Sequence, residues 1–128
     1  MAYKYEIIRD FFKLPAAETI GVVSRVAADS QDRIYVFQRK DPPVLVFERT
    51  GKFLGSWGTG EVRDPHGLKI VEDVVYTTDR SDSVVKSFTL DGQMLLSLGK
   101  KAFIPTPVVL ALLGWPSTRL ARSIILRR

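Results

Sequence analysis

The chain has no cysteine and a single histidine, His66. The first absence excludes a disulfide framework, cysteine-based zinc sites and thiol nucleophiles. The sequence has little of what a membrane span needs. Its apolar run at 108–113 falls far short of the roughly 20 residues required to cross a bilayer. No secretory signal opens the chain: residues 1–10 mix apolar positions with charges at Lys4, Glu6, Arg9 and Asp10, which makes the cytoplasm the default expectation. Acid is missing from one end. Residues 1–99 hold 13 lysines and arginines against all 14 acids, whereas 100–128 hold six basic residues and no acid. The net charge of +5 therefore belongs to the tail and not to the body. A nucleic-acid footprint spread over a folded face is not what this distribution describes.

What is present is a repeat. At an offset of 41 residues, Ile34 and Tyr35 fall on Val75 and Tyr76, Arg39 on Arg80, Val44 on Val85, Phe47 on Phe88, Gly51 on Gly92, Leu54 on Leu95 and Gly58 on Gly99. Upstream the offset is 42, because the first copy carries one extra residue in its Ser-Gln-Asp-Arg turn; Val26 then falls on Leu68 and Ala28 on Ile70. Each copy reads as four short strands, at 24–28, 33–38, 44–48 and 53–57, and at 67–71, 74–78, 83–88 and 94–98. Turn signals separate them, of which Asp91-Gly92 is the strongest. Four-stranded units of about 40–45 residues have the size of a propeller blade. A β-sandwich of two hairpin-rich copies is the competing arrangement. Agreement of strand, turn and glycine positions in one register favours blades.

The fold class expected is thus all-β: a partial β-propeller of two four-stranded antiparallel blades, with a basic C-terminal tail outside the propeller pattern. The organisation is a lead-in or N-terminal strand at 1–20, blades at 21–58 and 64–99, and the tail at 100–128. Glycines 51, 55, 58 and 60 read as turn glycines at strand ends. The Asp-Arg-Ser-Asp segment at 79–82 reads as a turn, with too few oxygens for a calcium loop. No glycine-rich phosphate loop and no Ser/His/Asp arrangement is evident.

The Pro-x-Gly entry at 65–67, the second strands IYVFQ and VYTTD, the "Val-x-x-Phe" third strands and the closing glycines resemble NHL repeats over 21–99. Membership implies a six-bladed propeller that acts mostly as a binding scaffold for a protein or small-molecule ligand. A narrower resemblance is to the metal-dependent peptidyl-α-hydroxyglycine α-amidating lyases. It rests on Val36-Phe37-Gln38-Arg39 and Asp64-Pro65-His66-Gly67-Leu68. It implies Arg39 as a catalytic, substrate-binding cation and His66 as a zinc ligand, with the other ligands in further blades. Without partners, His66 also reads as a hydrogen-bonded residue beside its turn. Arg39 also reads as a loop residue, since Arg80 repeats it. For the chain itself the expectation leans away from an enzyme.

The tail KKAFIPTPVVLALLGWPSTRLARSIILRR begins no third copy. It admits three readings: a basic amphipathic helix at an anionic surface, a helix packed over a blade edge, or residues out of frame after Lys100-Lys101. In the third, the shifted frame of residues 103–110 can spell Ser-Asp-Thr-Gly, and that of 120–128 can spell Gly-Pro-Phe-Asn-His-Pro-Thr. Both resemble segments found after a second blade in this family. That reading explains the charge shift and the lost repeat together, and makes the chain a truncated propeller. Propellers protect their edges by closing into a ring, so two blades alone are expected to be marginal and prone to associate. Neither nucleic acid nor a membrane is the expected partner.

Overall fold

Alternating clusters of β-branched and aromatic residues, broken by Asp, Gly and Pro, give eight strands among the described residues. The structure, a computed structural model, describes residues 2–99. The strands are β1 (Val23–Ala28), β2 (Ile34–Gln38), β3 (Val44–Phe47), β4 (Phe53–Trp57), β5 (Pro65–Val71), β6 (Val74–Asp79), β7 (Val84–Phe88) and β8 (Met94–Leu98). They form two antiparallel four-stranded meanders, β1-β2-β3-β4 and β5-β6-β7-β8. The described residues are all-β, with the two blades read from the repeat. The basic tail, and with it the helical, edge-covering and out-of-frame readings, lies outside the described residues. Among the described residues no helix is long and apolar enough to cross a membrane.

The repeat extends to the irregularities. A bulge falls at Val23/Arg25 in β1 and at Pro65/Gly67 in β5, and another where β4 passes Phe47 and β8 passes Phe88. Proline at the start of β5 is tolerated because the ladder is already interrupted there. β2 begins one residue later than its pattern because the Arg33 N–H is committed to Asp29 Oδ1 at 2.9 Å. One reading is corrected: Gly55 is not a turn residue but the middle of β4.

Two layers of side chains hold the sheets. Tyr35, Phe37, Val44 and Val46 of the first blade pack on Leu68, Val75 and Phe88 of the second, with Val62 of the connection and Trp57 at the margin. On the far side of the first blade, Val36, Leu45 and Phe47 are covered by Phe12, Leu14 and Ile20. Among the described residues the lead-in does this with a single bridge, Lys13 to Lys52, and no longer strand pairing. It covers the first blade much as the first blade covers the second. The turn glycines repeat the relation: a Cβ at Gly51 would collide with Phe11, and one at Gly92 would sit 2.6 Å from the Trp57 ring.

Gly92 and Gly60 both have positive φ, +92° and +77°, but nothing lies within 4 Å of a Cβ at Gly60. Gly60→Ala therefore carries only the left-handed backbone cost, about 1–2 kcal/mol. Gly92→Ala must also displace Trp57, for a total of about 2–4 kcal/mol. Urea denaturation of the two variants beside the parent checks the difference. Equal losses would show that Trp57 does not press on the turn.

Candidate functional site

The start of each first strand and the end of each second strand lie on one side of the blades, and a polar residue closes each pair. Gln38 ends β2 and is 1% exposed; its Oε1 accepts the Gly21 N–H at 2.6 Å and its Nε2 donates to Pro42 O at 2.8 Å. Asp79 ends β6 at the same repeat position; its Oδ2 accepts the Arg63 N–H at 2.5 Å and its Oδ1 the Asp82 N–H at 3.0 Å. Both staple the entry of a blade to its β2–β3 or β6–β7 turn. The following residues match as well: the Arg39 N–H donates to Val22 O at 2.8 Å and the Arg80 N–H to Asp64 O at 3.1 Å. Most buried polar groups are satisfied in this way. Sequence reasoning missed this pair, although an amide in one copy and a carboxylate in the other at one strand end was the available signal.

Arg39 and Arg80 converge on one carboxylate. Arg80 Nε lies 2.8 Å from Asp64 Oδ2 within its own blade, while Arg39 reaches across the seam, its Nε 3.6 Å from Asp64 Oδ1 and 3.4 Å from Pro65 O. Burial alone would raise the Asp64 carboxyl, but the Arg80 guanidinium, Ser81 Oγ and Arg39 outweigh it and hold it below the ordinary carboxylate value. Beside this cluster opens a recess of about 460 Å³ lined by Arg39, Lys40, Asp41, Arg63, Pro65 and Asp82. Three cations thus face two acids. Arg63 is weakly held, 3.6 Å from Asp82 and two-thirds exposed; Lys40 Nζ donates to Thr19. Arg39 keeps 41% of its side chain exposed. The arrangement suits a carboxylate or another oxyanion reached by guanidinium groups.

His66 does not line this recess. It occupies the bulge that opens β5, where the first blade has Ser24, and it is partly exposed. Among the described residues its ring takes no hydrogen bond, and no group of three or more His, Cys, Asp or Glu side chains is placed to hold a metal. Among the described residues nothing beside His66 supplies the further ligands of the zinc that the lyase resemblance implies, and no chemistry is derived through it.

The opposite side of the blades carries a second charged turn. Asp29 accepts from the Gln31 and Arg33 N–H groups and pairs with Arg33 Nε at 2.6 Å, with the Tyr35 hydroxyl at 3.2 Å. Burial acts to raise its carboxyl, but these donors hold it below the ordinary value. Burial pushes the Tyr35 phenol up to about 12. Asp73 joins this turn to the second blade by accepting from Ser30 N–H at 2.9 Å.

Depressed carboxyls at Asp29 and Asp64 contribute stability that is complete above the unfolded carboxyl range and is lost as pH falls through their lower folded values. The raised Tyr35 phenol contributes stability that is complete below about pH 10 and is lost as pH rises towards its folded value. Stability is therefore expected to be flat between about pH 5 and 9 and to fall beyond both ends. Asp29→Asn should cost about 1–3 kcal/mol at pH 7 and shrink the acid limb. Urea midpoints measured from pH 2.5 to 11 check it; an acid limb unchanged in the variant would contradict the assignment.

No family model matches this sequence, and no curated protein matches it either.

Proposed function

We propose that residues 21–99 are two NHL-type propeller blades acting as a binding scaffold, and that the seam recess takes an acidic peptide. The reading rests on one observation above all: two cations of the first blade, Arg39 and Lys40, and one of the connection, Arg63, line a single recess that Pro65 and Asp82 of the second blade complete. Support for the blade assignment comes from the shared register, bulges and stapled strand ends of the two sheets. An acidic peptide matches the recess because the ion pairs of Arg39 and Arg63 are long and partly exposed, and the Arg39 contact to Pro65 O uses only its Nε. The blades supply position and charge.

Titration of the full chain with a capped tetraglutamate peptide tests this. Binding should localise to amides at 39–41 and 60–65, weaken with salt, and drop about tenfold in each of Arg39→Ala and Arg63→Ala. Absent binding, or binding indifferent to both substitutions, would overturn the reading.

A further inference from the structure

The two blades differ at one position of an otherwise matched strand. Val46 faces Gly55 across β3–β4, as Ser87 faces Leu96 across β7–β8. Gly55 thus stands where the second blade carries Leu96. The backbone does not require glycine there: its φ is outside the left-handed region, and a Cβ would meet nothing within 4 Å. The missing side chain leaves open space over the sheet.

That space is part of a second recess, of about 410 Å³, with walls from Tyr35, Val46, Leu54, Trp57 and Leu90. All of these except Leu54 belong to the inter-blade core or pack against it, so the groove continues that interface outward. Trp57 Nε1 is buried and has no acceptor among the described residues. β4 is the last strand of its sheet, and its outer edge at 53–57 has no strand partner among the described residues. An extended segment already reaches this edge just before β4: Lys13 bridges Lys52, and its N–H donates to Gly51 O at 2.8 Å.

We propose that the groove receives an extended peptide that adds to the outer edge of β4 and inserts a leucine-sized aliphatic side chain over Gly55. The inference rests on the two-blade fold and is independent of the seam recess. An added strand turns every second side chain to the same face of the sheet, where the open position lies. Tyr35, Val46, Leu54, Trp57 and Leu90 form the apolar part of a lining they share with Arg33, Ser56 and Asp91, and the repeat itself places leucine at this point in the next blade. The charges nearby do not select a charged insert: Arg33 is held by Asp29 at 2.6 Å, and Asp91 accepts from Thr89.

The test uses the isotope-labelled full chain and the capped peptide acetyl-Lys-Thr-Leu-Thr-Lys-amide, with an alanine analogue as comparison. The leucine peptide is expected to shift the 53–57 amides and the Trp57 indole N–H, and to bind at least about tenfold more tightly than the alanine peptide. Gly55→Leu should reduce binding at least about tenfold without lowering Tm, since it fills space that is open. Gly55→Ala, a milder filling, should reduce it less and keeps the test decisive if the leucine variant fails to fold. Equal binding of the two peptides, shifts elsewhere, or unchanged binding in both variants would overturn the proposal. So would N-acetyl-leucine amide binding as tightly as the peptide, which assigns a small-molecule pocket. A Trp57 shift that depends on protein concentration without peptide assigns the groove to a second copy, and also overturns it.

Discussion

Packing of Tyr35, Phe37, Val44 and Val46 on Leu68, Val75 and Phe88 is the contact on which the rest of the structure depends. A small sheet with one apolar face is marginal in water, and repeat units draw much of their stability from their neighbours. Tyr35, Phe37, Phe47 and Phe88 are completely buried, and side chains of this size contribute roughly 1.5–3 kcal/mol each when removed from water. Three of the four lie between the blades; Phe47 lies on the other face, where Phe12 stacks against it with ring centroids 4.5 Å apart. The lead-in thus covers a sheet face that would otherwise be open.

The polar features arise from that packing. Once the sheets are stacked, the ends of β2 and β6 stand side by side, and their side chains can share partners. Asp64 takes charge from both blades, and Asp73 links the turns at the other end. Lys86, at the repeat position of the buried Leu45, reaches Glu61 in the connection, 3.1 Å from its carboxylate. These contacts fix how far one blade can rotate on the next. The seam recess is a consequence, since its cations come from the first blade and the connection while Pro65 and Asp82 of the second blade complete its lining. The outer groove arises differently, from one side chain that the repeat omits.

The fold was legible because strand-forming clusters, turn residues and glycines recur together at one spacing. Agreement at several levels at once is the mark of a sequence that specifies its structure. Strand positions were read within two residues. The seam was only partly legible. Arg39 was visible by resemblance and by its repeat partner Arg80, but their meeting at Asp64 depends on the stacking of the blades, which spacing along the chain does not encode. Gln38 and Asp79 were hidden because an amide and a carboxylate look unlike, although both accept a blade-entry N–H. Gly55 was misread as a turn residue because glycine usually marks one; only the β3–β4 register shows that it faces Val46. The role of Phe12, Leu14 and Ile20 was illegible for the opposite reason, since they cover a blade without belonging to the repeat.

Native-state hydrogen exchange on the full chain tests most directly whether the two blades stand as one cooperative unit. If the inter-blade core carries both, the amides of β2, β3, β6 and β7 exchange through a single common opening, with the same free energy and the same dependence on denaturant. Separate openings, with β6 and β7 exchanging while β2 and β3 remain protected, would contradict the account.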